Sequence, residues 1–177
     1  MSKPRLATVW LDGCSGCHMS LLDMDERLVE LSERFDLVYS PLVDYKQFPA
    51  QVDIALVEGS VSSDEDEHKI RLVRANTRIL VSLGDCAVTG NVPSMRNSIP
   101  VSELLECVYR GNGLLQPQVP KERLPSLLAR VRPVHEVVNV DVFVPGCPPS
   151  ADTIYAVISD LLAGQVPDVA ALSRFGA

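Results

Sequence analysis

Short apolar runs alternate along the chain with segments whose apolar residues recur at helical spacing. The run from Leu6 to Leu11 is rich in β-formers and stops at Asp12, as expected of a strand buried on both faces. Between Met19 and Arg34 apolar residues recur every three or four positions among charged ones, which predicts an amphipathic helix. The same patterns predict strands at 37–39, 53–57, 79–83 and 138–144, helices at 64–75, 101–109, 124–131 and 151–162, and a loop at 84–100.

Regular alternation of strands and helices predicts an α/β fold, with a parallel sheet covered by helices on both sides. The chain has 177 residues, of which 46% are hydrophobic, enough for one compact core. We find no internal repeat and no linker long enough to divide it. The sequence therefore predicts a single domain over residues 1–177.

Charge and hydropathy exclude several classes of protein. Sixteen basic and 23 acidic residues give a net charge of −7, which opposes binding to nucleic acid. The apolar stretch from Val137 to Val144 is interrupted by Asn139 and Asp141 and is too short to span a membrane. The first residues lack a signal-peptide pattern, so we expect a cytoplasmic protein whose cysteines stay reduced.

Four of the five cysteines come shortly after predicted strands. Cys14 and Cys17 follow the first strand, Cys86 follows the strand that ends at Leu83, and Cys147 follows the strand that ends at Val144. In an open parallel sheet the carboxyl ends of the strands share one edge, and ligands bind there. Topology therefore predicts that these cysteines meet, although no local motif joins them.

Four thiolates at one point suit a soft metal, either zinc or an iron–sulfur cluster. Structural zinc usually uses two close pairs of ligands, whereas here one pair, Cys14 and Cys17, joins two single cysteines. Cys147 is followed by Pro148, and a proline after a cluster cysteine recurs in iron–sulfur proteins. These features favour a cluster and leave zinc as an alternative.

A further alternative is a thioredoxin-like dithiol, since Cys14 and Cys17 form a CxxC pair between a strand and a helix. That interpretation leaves Cys86 and Cys147 without a role. The fifth cysteine, Cys107, lies on the apolar face of a predicted helix and is expected to be a small buried hydrophobe.

Several residues near the cysteines have both a functional and a purely structural interpretation. His18 is either a donor to a sulfur or an ordinary polar residue, and Glu58 is either a functional carboxylate near an interface or a turn residue. Trp10 is expected in the core, whereas His68 and His135 are expected in solvent. Four glycines can each offer an amide to a cluster or simply form a turn, namely Gly13, Gly16, Gly84 and Gly146.

Four motifs in order resemble the small subunit of nickel–iron hydrogenases. They are Trp10–Cys17 (WLDGCSGC), Val57–Ser60 (VEGS), Leu83–Ala87 (LGDCA) and Val144–Pro149 (VPGCPP). The resemblance implies a flavodoxin-like, doubly wound domain in which Cys14, Cys17, Cys86 and Cys147 hold one proximal [4Fe-4S] cluster. It also implies a separate large subunit that carries the nickel–iron centre.

Differences from the family pattern indicate which subfamily of hydrogenase small subunits the chain resembles. The chain has neither a twin-arginine leader nor a cysteine-rich C-terminal region, which makes it similar to the small subunit of bidirectional NAD-reducing hydrogenases. The resemblance then implies diaphorase partners that carry FMN, further iron–sulfur clusters and NAD. Energy-converting hydrogenase subunits share the single-cluster plan and remain an alternative, whereas a related respiratory complex I subunit has two adjacent cysteines in place of Cys14 and Cys17.

Two further features bear on function. Many family members carry a glutamate where this chain has Met19, so any proton path is expected to use other groups, on the large subunit. The chain also lacks the GxGxxG fingerprint, so the sequence does not indicate nucleotide binding on this subunit. The loop from Ala87 to Pro100 carries Val92, Met95 and Ile99 and is predicted to be a partner surface.

Overall fold

The central sheet has five parallel strands in the order β2-β1-β3-β5-β7, and β4 and β6 form a separate antiparallel pair. The computed structural model describes residues 3–111 and 115–173. This strand order is that of flavodoxin-like folds, so the predicted class is confirmed. In chain order the strands are β1 Arg5–Trp10, β2 Asp36–Tyr39, β3 Val52–Glu58, β4 Val61–Ser63, β5 Thr77–Leu83, β6 Leu127–Arg132 and β7 Val142–Val144.

Helices cover both faces of the central sheet. Short 3-10 helices at Val92–Ser98 and Val134–Glu136 and a π-helical turn at Cys107–Gly111 complete the described helical structure. No described helix is both long and apolar enough to cross a membrane. The α-helices are α1 Gly16–Leu22, α2 Glu26–Ser32, α3 Asp64–Ala75, α4 Asp85–Thr89, α5 Val101–Glu106, α6 Ala151–Leu162 and α7 Val169–Leu172.

Strand β3 shows how the sheet separates two apolar cores. Ile54 and Leu56 point to one face and pack with residues of α1, α2 and α6. Ala55 and Val57 point to the other face and pack with residues of α3. All four are buried, because a central parallel strand has helices on both of its faces.

Two helices have the bounds that the sequence predicts, because their ends carry strong capping signals. At the start of α3 the Ser63 hydroxyl accepts a hydrogen bond from the Asp66 N–H at 3.1 Å, and the Asp66 carboxylate accepts one from the Ser63 N–H at 3.0 Å. At the start of α6 the Ser150 hydroxyl accepts from the Thr153 N–H. Each cap satisfies a backbone donor that the first helical turn leaves free.

Several predicted elements differ from the structure. The helix predicted over 19–34 is divided into α1 and α2 at a turn where Asp25 has a φ of +52°. The helix predicted over 124–131 is wrong, because this segment forms β6, which pairs with β4 and buries Val131. The predicted loop 84–100 contains α4 and a 3-10 helix, and β7 is shorter than the predicted 138–144 strand.

Asp141 links the end of α3 to the central sheet. Its carboxylate accepts a hydrogen bond from the Leu80 N–H at 2.7 Å and from Arg74 at 2.6 Å. Partial burial raises the pKa of Asp141, but the Leu80 N–H and the Arg74 guanidinium outweigh burial and hold that pKa below its ordinary value. A carboxyl group whose pKa is lowered by folding stabilises the fold above its unfolded pKa, and this stabilisation is lost as the pH falls.

We therefore expect Asp141→Asn to lower the free energy of unfolding at pH 7 by about 1 kcal/mol. Below about pH 4 the wild type should lose more stability than the variant, because only the wild type has this carboxylate to protonate. Urea unfolding measured from pH 7 to pH 3 tests this, with Asp44→Asn at an exposed loop position as the control. Parallel stability curves for Asp141→Asn and the wild type would contradict it.

Candidate metal centre

The four cysteines singled out by the sequence come from three segments at the carboxyl edge of the sheet. Cys14 lies between β1 and α1, and Cys17 lies in the first turn of α1. Cys86 lies in the first turn of α4, directly after β5, and Cys147 lies in the loop after β7. Because β1, β3, β5 and β7 are neighbours in the sheet, these segments lie side by side.

The Cys17 thiol is the most buried of the four. Burial raises its pKa well above the ordinary value for a thiol, and the nearby Glu58 carboxyl and the thiols of Cys86 and Cys14 raise it further. Reactive cysteines of thioredoxin-like proteins instead have a lowered pKa. The raised pKa of Cys17 therefore differs from that of a cysteine that takes part in thiol–disulfide exchange. It is compatible with a metal ligand, because a bound metal deprotonates the thiol that coordinates it.

Cys86 lies close to the thiols of the other three cysteines. Burial raises its pKa, and the nearby thiols of Cys147 and Cys14 add to that effect. The Val92 backbone and the Asn91 side chain act in the opposite direction and lower the pKa of Cys86. The structure thus places Cys86 close to the thiols of Cys14, Cys17 and Cys147.

Hydrogen bonds tie the cysteine-bearing segments to one another. The Asp85 carboxylate accepts from the Gly146 N–H at 2.7 Å, and the Asp85 N–H donates to the Gly146 carbonyl at 2.8 Å. The Ser20 hydroxyl donates to the Pro149 carbonyl at 2.6 Å, which joins α1 to the Cys147 loop. The segments are therefore held in place by protein contacts rather than by the sulfurs alone.

Glu58 and His18 form a buried polar pair behind Cys17. The Glu58 carboxylate accepts from the His18 backbone N–H at 2.8 Å, and the His18 Nδ1 lies 3.1 Å from the same oxygen without hydrogen-bond geometry. The His18 Nε2 lies 3.0 Å from the Thr8 hydroxyl, which donates to Ser40. Both side chains are 2% exposed, so neither is a simple surface residue.

The structure decides between some of the alternatives for neighbouring residues. The Gly84 N–H donates to the Val144 carbonyl, and the Gly146 N–H donates to the Asp85 carboxylate. Both amides are therefore used in hydrogen bonds within the protein. Gly16 and Gly84 both approach a sulfur closely, since a Cβ at residue 16 would lie 3.2 Å from the Cys14 Sγ and one at residue 84 would clash with the Cys17 Sγ.

Three expectations concern residues away from the four thiols. Trp10 is 44% exposed and its indole N–H donates to the Gly13 carbonyl, so its predicted place in the core is wrong. Cys107 is exposed at the end of α5, so its predicted burial is also wrong. His68 and His135 are exposed, as expected.

Two residues of the site have roles that their sequence pattern does not predict. Asp85 lies within the LGDCA motif, and in the structure it joins the first turn of α4, which carries Cys86, to the loop that carries Cys147. Asn91 donates from its side-chain amide to the Cys147 Sγ at 3.4 Å. Gly90 and Asn91 form a turn-type dipeptide, and this is the signal that could have drawn attention to the position.

The spacing of the thiols bears on the kind of metal group that fits. Within residues 3–111 and 115–173, no three Cys, His, Asp or Glu side chains lie close enough together to hold one metal ion. Four sulfurs around a single zinc ion would lie about 3.8 Å apart. The described thiols are therefore not arranged as a single-ion zinc site.

Comparisons with known proteins show the family of the chain. The family described as NADH ubiquinone oxidoreductase, 20 Kd subunit, matches residues 14–161. The chain is 42% identical to the delta subunit of the NAD-reducing hydrogenase HoxS of Cupriavidus necator, over 94% of this chain and 82% of that protein. It is 34% identical to the iron–sulfur subunit of an F420-non-reducing hydrogenase of Archaeoglobus profundus, over 92% of this chain and 57% of that protein.

A solved structure gives the same result for the fold. The structure of an NAD+-reducing NiFe hydrogenase in the H2-reduced state contains a chain that is 42% identical to this one, with a TM-score of 0.91. The match covers 98% of this chain and 99% of that chain.

The fold and the site together define the class of protein. It is a flavodoxin-like domain with four cysteines at the carboxyl edge of its parallel sheet. The chain belongs to the family of the 20 kDa subunit of NADH ubiquinone oxidoreductase, and within it to the small subunits of NAD-reducing hydrogenases. The resemblance seen in the sequence motifs is thereby confirmed.

Proposed function

We propose that this chain is the electron-transfer small subunit of an NAD-reducing nickel–iron hydrogenase, with residues 1–177 forming one domain. Hydrogen is oxidised on a separate large subunit that carries the nickel–iron centre. NAD is reduced on diaphorase subunits that carry FMN and further iron–sulfur clusters. The observation that carries this proposal is the meeting of four cysteines from three separate segments in a chain of this family.

The proposed ligands of a single [4Fe-4S] cluster are Cys14, Cys17, Cys86 and Cys147. When bound, such a cluster accepts and returns one electron at a time. The four thiols match the soft ligands that iron–sulfur clusters require. Cys17 also packs against the apolar core, which keeps this side of the site dry.

The chain's own residues would keep the proposed site in one geometry. The two hydrogen bonds between Asp85 and Gly146 hold the Cys86 and Cys147 segments at a fixed separation. Glu58 fixes the start of α1, and with it Cys17, by accepting from the His18 N–H. A fixed ligand set limits rearrangement when the charge at the site changes.

Apolar side chains near the site support a docking role for this edge of the molecule. Val92 is 61% exposed and Met95 is 74% exposed, and both belong to the 3-10 helix that follows Cys86. Met19 and Leu22 of α1 are also exposed. We place the large subunit on this surface, because an electron relay needs its donor in contact with it.

We also propose a location in the cytoplasm. All five cysteines are unpaired in the structure. Reduced cysteines and a redox partner that uses NAD both suit a reducing compartment.

The function is tested by anaerobic purification of the chain with its partners, followed by iron and sulfide analysis and low-temperature EPR. We expect about four iron and four sulfide per chain in excess of the partners' content, the composition of one [4Fe-4S] cluster. Reduction by hydrogen should then produce a cluster signal, and NAD should become reduced. Zinc in place of iron, or no metal with a titratable dithiol, would contradict the proposal.

A further inference from the structure

Asn91 occupies a backbone conformation that favours glycine. Its φ is +32° and its ψ is −129°, and Gly90 before it also has a positive φ of +86°. An L-residue with a side chain is strained there, at a cost of about 1–3 kcal/mol. The strain indicates that the Asn91 side chain contributes something that a glycine could not.

The Asn91 side-chain amide hydrogen-bonds one of the cysteine sulfurs. It donates to the Cys147 Sγ at 3.4 Å. Asn91 comes shortly after α4, which carries Cys86, whereas Cys147 lies in the loop after β7. One uncharged amide therefore links the turn after α4 to a sulfur supplied by another segment of the site.

The surrounding backbone holds this amide in position. The Ser94 hydroxyl donates to the Asn91 carbonyl at 2.7 Å, and the Ser94 N–H donates to the same carbonyl at 3.1 Å. The Gly90 N–H donates to the Cys86 carbonyl at 3.0 Å. These bonds fix the backbone of the turn from which the Asn91 side chain reaches Cys147.

Hydrogen bonds to cluster sulfurs stabilise the more negative, reduced state, because the donor's partial positive charge faces the added electron. In a protein of net charge −7, with the Glu58 carboxyl close to Cys17, such donors oppose the surrounding negative charge. A neutral amide that donates to a ligand sulfur raises the reduction potential of a cluster and adds no net charge to the surface on which a partner would dock.

We propose that Asn91 is a positioning residue that raises the reduction potential of the proposed iron–sulfur cluster through its hydrogen bond to Cys147. This inference rests on the proposed function. It assigns the tuning of the cluster to one side chain of the turn between α4 and the 3-10 helix.

The test compares Asn91→Gly and Asn91→Asp with the wild type in the purified complex, by EPR-monitored redox titration and iron analysis. Asn91→Gly suits the backbone and removes the donor, so we expect full iron content and a midpoint potential shifted to more negative values. Asn91→Asp replaces the donor with a negative charge, and its shift should be larger in the same direction.

Asn97→Gly is the matched control. Asn97 exchanges two hydrogen bonds with the Val131 backbone, at 2.9 Å and 2.7 Å, so its loss should lower Tm and leave the potential unchanged. An unchanged potential in Asn91→Gly, an equal shift in Asn97→Gly, or loss of iron from Asn91→Gly would each overturn the inference. Absence of the cluster from the wild-type complex would instead overturn the proposed function.

Discussion

Replacing Cys147 by serine is expected to prevent binding of the proposed [4Fe-4S] cluster and to lower hydrogen-dependent NAD reduction by at least about 100-fold. A serine hydroxyl is a hard ligand that stays protonated at neutral pH, so it is a poor substitute for a thiolate on iron. The loop that carries residue 147 is fixed by Asp85 through two hydrogen bonds, and no other cysteine of that loop can take its place. The same result is expected for Cys86→Ser.

Cys107→Ser is the control for these variants. Cys107 is exposed in the π-helical turn Cys107–Gly111, and it is absent from the group of interacting thiols around Cys17 and Cys86. This variant should keep its iron and its activity. Circular dichroism should show an intact fold in all three variants, because Cys107 and Cys147 are exposed and Cys86 is only partly buried.

The assay separates the proposed cluster from a dithiol. If Cys147→Ser and Cys86→Ser both retained the wild-type iron content, the four-cysteine ligand set would be wrong. If Cys14 and Cys17 act alone as a dithiol, activity should change little in either variant. If all four cysteines hold a cluster, both variants should lose iron and activity.

Gly59→Ala is expected to destabilise the fold by about 3 kcal/mol or more. Gly59 follows Glu58 at the end of β3 and has a φ of +84°. A Cβ at this position would lie 2.7 Å from the Leu11 carbonyl carbon and 2.8 Å from the Asp12 carbonyl oxygen. These are backbone atoms, and neither can rotate away.

The neighbouring hydrogen bonds explain why the backbone cannot yield. The Leu11 N–H donates to the Glu58 carbonyl at 3.0 Å, and Asp12 and Ser60 exchange two backbone hydrogen bonds at 3.0 Å and 2.7 Å. Relief of the clash would break this pairing and move the segment that leads to Cys14. We therefore expect iron content to fall together with stability.

Gly164→Ala provides a matched control for backbone strain. Gly164 also has a positive φ, +74°, but a Cβ there meets nothing within 4 Å. Its cost should be limited to the unfavourable conformation, about 1 kcal/mol. The Tm of Gly59→Ala should fall by about 6 °C or more and that of Gly164→Ala by about 2–4 °C. Equal changes in Tm would show that the close approach of Gly59 to the backbone of Leu11 and Asp12 does not contribute to the cost.

Sequence patterns were most informative where the determining interactions are local. Helices α3 and α6 begin at Ser-capped turns and keep one apolar face, so their bounds follow from the sequence. Segment 127–132 has apolar residues at spacings that fit a helix, but pairing with β4 makes it a strand. That pairing joins residues more than sixty positions apart and leaves no signal in a short window.

Some contacts of the site could likewise be predicted from the sequence, and others could not. Strand topology alone predicts that Cys14, Cys86 and Cys147 meet, because parallel strands share their carboxyl edge. The contact from Asn91 to Cys147 depends on the path of one turn, and the burial of His18 depends on its pairing with Glu58. Contacts of this kind arise from the packed structure, so residue type and spacing could not predict them.

The position of β7 at the edge of the sheet has a consequence for biogenesis. Its three residues add to β5 late in the chain, and Cys147 follows directly after them. A growing chain therefore presents Cys14, Cys17 and Cys86 long before the fourth sulfur is in place. With the four proposed ligands, the ligand set is complete only after all five strands of the central sheet have been synthesised, so loading of the cluster would follow the synthesis of the whole sheet.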